Sequence, residues 1–475
     1  MGHVFEGGQQ TAMNAGNDTA VDRLPPFLPQ GLVHDWLQKG VYAGRRQRLL
    51  AQLAPDSVAL LPTLPEQVRS RDTHHRYRAD SSVVYLTGFA EPDVVLVLQP
   101  GTAQPFGLFC RPRDPEREIW DGRRAGVEGA LARYQADQAW PVDTLDEQVL
   151  TLLAGKKRLY TRLGQDPDWD ARVSRWLGQL NARQRQGVSA PVAVVQLEPL
   201  IEEMRLIKDA HEIALMQQAA DLSAAAHVRA MQRVRPGQME YALQAELEYV
   251  FAQGGGVPAY GSIVGGGANA CILHYIDNDQ PLQAGDLVLI DAGAELGHYA
   301  ADITRTFPVS GRFSAEQKAL YELVLDAQLE AIRWVQVGQH CKVYHEKAVE
   351  VLTAGLVRLG LLSGEVSALI ESGAYRRFYM HGTGHWLGMD VHDAGAYKVD
   401  GQWRPLQAGM VVTVEPGLYV AADDDTVAPR WRGIGIRIED DVLVTEQGPR
   451  VLTAGVPKQV GALEALIQGI PSLGD

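Results

Sequence analysis

Four acids and one histidine stand at positions where their chemistry is hard to explain as surface decoration. Asp291 ends the apolar run Asp286-Leu287-Val288-Leu289-Ile290, and Glu415 ends the run Met410-Val411-Val412-Thr413-Val414. Asp302 lies in Tyr299-Ala300-Ala301-Asp302-Ile303-Thr304-Arg305-Thr306-Phe307, and Glu439 lies in Gly435-Ile436-Arg437-Ile438-Glu439-Asp440-Asp441-Val442. On a strand of period two, Asp302 shares a face with Thr304 and Thr306, and Glu439 shares one with Arg437. Burying acids on such strands is costly unless they are paired or bind a cation. With His385 as one neutral imidazole, Asp291, Asp302, Glu415 and Glu439 make a donor set rich in hard oxygen, suited to manganese, cobalt or zinc in pairs. The charges balance, since four carboxylates at −4 match two divalent ions at +4. Metal coordination brings the pKa of bound water to about 7, so a hydroxide bridging the ions is the expected nucleophile.

The histidine belongs to His381-Gly382-Thr383-Gly384-His385-Trp386-Leu387-Gly388-Met389-Asp390-Val391-His392-Asp393, with three histidines in twelve residues. Its three glycines argue against a helix and for a loop and strand, unlike the helical histidine pair of many metalloproteases. The chain has no Walker loop, dinucleotide glycine fingerprint or nucleophile elbow, so kinase, dehydrogenase and serine hydrolase readings lack support. Gly265-Gly266-Gly267 has no following Lys-Ser/Thr and is expected to form a tight turn near the site.

The strands that must carry these acids repeat. Pro281-Leu282-Gln283-Ala284-Gly285 recurs as Pro405-Leu406-Gln407-Ala408-Gly409, each followed by an apolar strand and then a carboxylate ten positions after its proline. This predicts a duplicated α/β half, folded so that equivalent carboxylates converge across a pseudo-twofold axis. A long amphipathic helix is expected over Glu202 to Met231, with Ile213, Met216, Ala220, His227 and Met231 near one face and His227 as a packing residue. A second domain begins there, giving a division into 1–30 as a flexible start, 31–200 as an α/β domain and 201–475 as the domain of the acids. In the α/β domain, Val83-Val84-Tyr85-Leu86 and Val94 to Leu98 read as buried strands, and Arg45 to Leu53, Leu145 to Leu153 and Ala171 to Leu180 as helices.

With 44 basic and 58 acidic residues the chain carries a formal charge of −14. That balance repels nucleic-acid phosphates and anionic lipid, so neither nucleic acid nor a membrane is an expected partner. Cys110, Cys271 and Cys341 lie far apart, which suits a reducing cytoplasm better than a disulfide framework. The first 30 residues hold no apolar signal core, and no stretch approaches ~18 apolar residues.

The motifs around Asp291, Asp302, His381 to Asp393, Glu415 and Gly433 to Asp441 resemble the pita-bread-fold metallopeptidases, and among them the chain is most similar to aminopeptidase P (Xaa-Pro aminopeptidase). The resemblance spans about Leu32 to Leu463 and includes Tyr85-Leu86-Thr87-Gly88-Phe89 and Glu118-Ile119-Trp120-Asp121-Gly122-Arg123-Arg124 in the amino-terminal domain. It implies an α/β protein with a pita-bread catalytic domain and release of the first residue from peptides with proline second. Two divalent ions, manganese first, would be held with Asp302 and Glu439 bridging. It further assigns His274, His381 and His392 to substrate and intermediate contacts, Arg437 to support of the ligands, and Tyr260 to the substrate pocket. Asp72 and Trp120 are implied as substrate-side residues supplied by a neighbouring subunit of a dimer or tetramer. An oxyanion formed on the scissile carbonyl needs an N–H donor such as His274 or His392. Glu415 can move a proton to the proline nitrogen, a tertiary amide that resists departure unprotonated. Gly384 departs from the Ser common at this position in aminopeptidase P and is shared with prolidases, which cleave Xaa-Pro dipeptides. That activity, or a non-catalytic binding module, is the alternative.

Overall fold

A computed structural model describes residues 39–469, so the expected flexible segment 1–30 lies outside the described residues. The amino-terminal part is a six-stranded mixed sheet in the order Gln138–Pro141, Phe106–Cys110, Val95–Leu98, Ser57–Pro62, Arg158–Thr161, Ala193–Gln196. Ser57–Pro62 pairs antiparallel with Val95–Leu98 and parallel with Arg158–Thr161. Both faces of this strand are covered: Val58 and Leu60 pack with Val149 and Trp176, while Ala59 and Leu61 pack with Val84 and Leu96. The run is apolar throughout because neither face meets water.

The helices Leu145–Leu153 and Pro167–Ala182 fall where the periodicity places them. Val83 to Leu86 does not form a strand. It lies in the helix Ser81–Thr87, started by Asp80, whose side chain accepts from the Val83 N–H at 2.9 Å, and stopped by Gly88 at φ +69°. All seven residues of that helix are buried, so they carry no polar face from which a helical period could be read. The expected helix from Glu202 to Met231 is two helices, Glu198–Leu206 and Ala210–Arg233. The break is made by a capping box in which Asp209 and Glu212 each accept from the other's backbone N–H.

The second part is built from two copies of one arrangement. Helices Ala210–Arg233 and Glu240–Gln253 lead to the strand pair Leu287–Asp291 and Thr304–Pro308; helices Ala315–Arg333 and Val343–Arg358 lead to Val411–Val414 and Asp440–Thr445. The repeated Pro-Leu-Gln-Ala-Gly segments occupy the same place in each copy. Leu282 accepts from Gly237 N–H at 2.7 Å and donates to Gln238 O at 2.8 Å; Leu406 accepts from Gly338 N–H at 2.9 Å and donates to Gln339 O at 2.7 Å. Pro281 bridges to Met239 and Pro405 to His340, and Gly285 and Gly409 share the same left-handed φ of +93°. Only glycine adopts that conformation without strain, and it turns each copy into its acid-bearing strand.

The two copies meet along Thr304–Pro308 and Ile434–Arg437. Arg437 N–H donates to Thr306 Oγ1 at 3.2 Å, and Thr306 Oγ1 donates to Arg437 O at 3.0 Å. Glu439 N–H donates to Thr304 O at 3.0 Å. The amino-terminal sheet is tied to this body by buried charge. Arg45 reaches Asp209 at 3.0 Å and Glu212 at 3.4 Å. No helix among the described residues is long and apolar enough to cross a membrane, and Cys110, Cys271 and Cys341 are free thiols.

Candidate metal centre

Each copy delivers two acids to the junction, one from the end of its first strand and one from the approach to its second. Asp291 is the last residue of Leu287–Asp291, and Glu415 directly follows Val411–Val414. Asp302 and Glu439 sit in breaks: Asp302 between Tyr299–Ala300 and Thr304–Pro308, Glu439 between Ile434–Arg437 and Asp440–Thr445. Sequence alternation predicts continuous return strands here. The breaks exist because these residues turn toward the opposite copy, where Glu439 N–H finds Thr304 O.

His385 comes from an irregular segment lying beside Val411–Val414. Its N–H donates to Thr413 Oγ1 at 3.1 Å, its carbonyl accepts from Thr413 N–H at 2.9 Å, and Trp386 bridges to Val412. Two glycines make these approaches possible. A Cβ on Gly293 would lie 1.7 Å from Ala301 O, and one on Gly384 would lie 1.9 Å from Thr413 O. In this chain the backbone itself therefore requires glycine at both positions.

The side chains converge. One donor atom from each of Asp302, His385 and Glu439 lies within 4.8 Å of the other two. His385 Nε2 is 3.4 Å from Asp302 Oδ2 and 3.7 Å from Glu415 Oε1. Its Nδ1–H donates to Trp386 O at 3.0 Å, which turns Nε2 toward the carboxylates. The Tyr260 hydroxyl lies 2.6 Å from Asp291 Oδ1 and 2.5 Å from Asp302 Oδ1. Thr304 Oγ1 donates to Glu439 Oε2 at 2.5 Å and accepts from Arg437 Nε at 3.1 Å.

Among the described residues Arg437 is the one lysine or arginine that pairs with these acids, reaching Asp291 Oδ2 at 2.7 Å. It does not balance them. Burial pushes the Glu415 carboxyl up to about 7, helped by Asp302 and Asp291 and opposed by His385 and Arg437. Burial and the neighbouring acids push Glu439 well above the carboxylate range. Burial opposes charge on His385, yet Asp302 and Glu415 outweigh it and lift the imidazole to about 9. Protons thus gather where positive charge is short. Hard oxygen donors, one imidazole with Nε2 turned toward them and an excess of buried negative charge fit divalent cations, which would displace those protons.

The centre forms the floor of a cavity of about 660 Å³, lined also by Tyr260, His274, His381, His392 and Arg437. His381 donates Nδ1–H to Gly382 O at 2.7 Å, while its Nε2 meets the Tyr419 hydroxyl at 2.8 Å. That hydroxyl accepts from Arg437 Nη1 at 3.1 Å. Burial, with Arg437 nearby, lowers His381 to about 3 and keeps it neutral. His392 packs edge-on to His385, ring centroids 4.4 Å apart.

Two expected substrate residues are not in this cavity. Trp120 is on the short helix Pro115–Asp121, 84% exposed, and Asp72 is exposed between Val68–Ser70 and Thr73–His74. The amino-terminal part instead contributes Arg78 to the wall, with Nε 2.6 Å from Glu295 and Nη2 2.6 Å from Met389 O. Arg78 and Tyr419 escape sequence reasoning, because nothing in their local spacing marks them. Thr304 was visible as a neighbour of Asp302 on one strand face. His227, expected to pack, is buried with Nε2 2.9 Å from Ala292 O.

Comparison with known proteins agrees with this geometry. The profile of Metallopeptidase family M24 matches residues 214–446, and that of the Aminopeptidase P, N-terminal domain matches 42–160. A Haemophilus influenzae Xaa-Pro aminopeptidase is 45% identical over 433 residues, covering 91% of this chain and 98% of that protein. Among solved structures, a Pseudomonas aeruginosa aminopeptidase is 55% identical with a TM-score of 0.90, covering 91% of this chain and 98% of that one. A zinc-substituted Escherichia coli aminopeptidase P in complex with product is 43% identical with a TM-score of 0.88, covering 91% and 99%.

The Gly293 contact yields a direct test. Gly293→Ala drives a methyl into Ala301 O and must move Asp291 away from Asp302. We expect a stability loss of about 1–3 kcal/mol in thermal or urea unfolding and weakened divalent-ion binding by calorimetry. Unchanged binding would show that this close approach does not set the ligand spacing.

Proposed function

The chain belongs to metallopeptidase family M24, with an aminopeptidase P amino-terminal domain, and from that membership we propose how its residues carry out the cleavage. It is a metallo-aminopeptidase that releases the amino-terminal residue before proline. The observation that carries this reading is the convergence of buried acids from two equivalent strand ends on His385. That convergence does not favour a non-catalytic scaffold, and the similarity to Xaa-Pro aminopeptidases does not favour a prolidase.

We assign Asp291, Asp302, His385, Glu415 and Glu439 as the residues that would hold two divalent ions. Manganese is our first choice, and cobalt and zinc suit the same donors. Bound there, divalent ions would supply Lewis acidity that activates water and polarises a carbonyl. Glu415, at the cavity floor, takes the proton given up by the attacking water and delivers it to the proline nitrogen, which leaves as an amine. His274 and His392 are exposed side chains on the cavity wall, placed to donate to the carbonyl oxygen as charge grows on it. His381, kept neutral by burial beside Arg437, orients the substrate beside Glu415, whose Oε2 is 3.8 Å from its Nδ1. Arg437 fixes Asp291, and Tyr260 lines the substrate pocket.

We divide the chain into an amino-terminal domain over 31–200 and a pita-bread domain over 201–475. We also propose a cytoplasmic homo-oligomer, dimer or tetramer, in which Trp120 and Asp72 face the cavity of another copy. Ile119 and Trp120 are adjacent large apolar residues, 80% and 84% exposed, which a second copy would cover.

Three matched peptides test the activity. An Xaa-Pro-Yaa tripeptide should be cleaved at its first bond and an Xaa-Ala-Yaa control barely touched; an Xaa-Pro dipeptide cleaved better than the tripeptide would favour prolidase. His392→Ala should lower kcat by about 10²-fold or more with metal content retained. Parallel loss of metal would make His392 a structural support. On the same peptides, Trp120→Ala should shift the dipeptide-to-tripeptide preference without altering metal content. An unshifted preference would remove Trp120 from the substrate side.

A further inference from the structure

Glu240 is the first residue of the helix Glu240–Gln253 and is 1% exposed. Among the described residues no lysine or arginine pairs with it; its carboxylate instead holds four neutral donors. Oε1 accepts from Gly266 N–H at 2.7 Å and Asn269 Nδ2 at 3.0 Å. Oε2 accepts from the Tyr275 hydroxyl at 2.8 Å and Gln280 N–H at 3.0 Å. All four belong to one stretch, 266–280, and that stretch carries His274 and Ile276 into the cavity.

The same stretch is fastened a second time. Asn278, fully buried at a left-handed φ of +49°, donates to Ser262 O at 2.8 Å and Gln244 Oε1 at 2.9 Å and accepts from Val264 N–H at 2.9 Å. Between the two fastenings His274 and Ile276 remain exposed. Tyr275 links them to the site, its ring packed with Ile263 and with Tyr419, whose hydroxyl meets His381.

A carboxylate is well suited to this task. It accepts on both oxygens and donates nothing, so it satisfies four donors that converge from one side. Glutamine would turn an amide N–H₂ toward one of the two donor pairs. We propose that Glu240 is a positioning residue for catalysis: it sets the loop so that His274 meets the substrate's carbonyl oxygen. This rests on the reading that His274 contacts the substrate.

The test is a double-mutant cycle on the metal-loaded full chain, with kcat and KM for an Xaa-Pro-Yaa peptide and metal content measured for each variant. Glu240→Gln should lower kcat/KM by about ten-fold, mostly in kcat, with both ions kept. In the His274→Ala background the same change should cost less than about two-fold, because the residue it positions is gone. A structural role alone would cost the same factor in both backgrounds, and that result overturns the proposal. Tyr275→Phe removes one of the four donors at less risk to folding, and should show a loss of about three-fold that likewise vanishes without His274. Full activity in Tyr275→Phe, or an equal loss in both backgrounds, counts against positioning. His274→Ala at wild-type activity would instead remove the reading beneath it, so the two failures are distinct.

Discussion

Carboxylates brought together out of water repel one another, and the cost of holding them there governs much of this structure. Asp291, Asp302, Glu415 and Glu439 share one floor with, among the described residues, a single arginine paired to them. Removing a partner from such a cluster is far more damaging than never burying it, because the stranded charge has no solvent to return to. Behind the floor lies a second buried network that fixes the backbone carrying Glu439. Asp440 takes Arg305 at 2.7 Å and Lys458 at 2.6 Å, and Arg305 Nη1 also donates to the Glu439 and Thr304 carbonyls. Two further cations, Arg305 and Lys458, are thus placed one layer behind, where they hold geometry without filling the site.

Duplication explains how such a cluster can be assembled from local rules. Each copy needs only a glycine turn, an apolar strand and an acid at its end, and the contact between copies does the rest. The left-handed Gly285 and Gly409 launch the two strands with the same geometry. Gly293 and Gly417 follow Asp291 and Glu415 at the same distance, and a Cβ on either would strike backbone oxygen, at 1.7 Å from Ala301 O and 2.8 Å from Ile436 O. The copies differ where function differs: the first supplies the loop bearing His274, the second the segment bearing His381, His385 and His392.

The repeat, the strand-end acids and the histidine segment were legible because each is local: a few residues of composition and a fixed offset. The amino-terminal α/β sheet was legible for the same reason, as apolar runs of strand length. Val83 to Leu86 was misread because a short helix buried on every side has no polar face, and only the cap pair Asp80 and Gly88 betrays it. The helix break at Asp209 carried a visible signal, its capping box with Glu212, inside an otherwise helical pattern. Glu240 was not legible at all, since its four partners lie 26 to 40 residues away and none is charged. Arg78 is similar, reaching Glu295 across 217 residues of sequence. The roles proposed for Trp120 and Asp72 would need a second chain, and within this one both side chains are exposed.

The dependence of the whole site on bound cations is open to one direct measurement: stripped protein titrated with manganese while bound metal and turnover on an Xaa-Pro-Yaa peptide are followed together. Activity rising with bound ion and levelling at two per chain is the expected result. Full turnover in protein shown by elemental analysis to hold no divalent metal would contradict it.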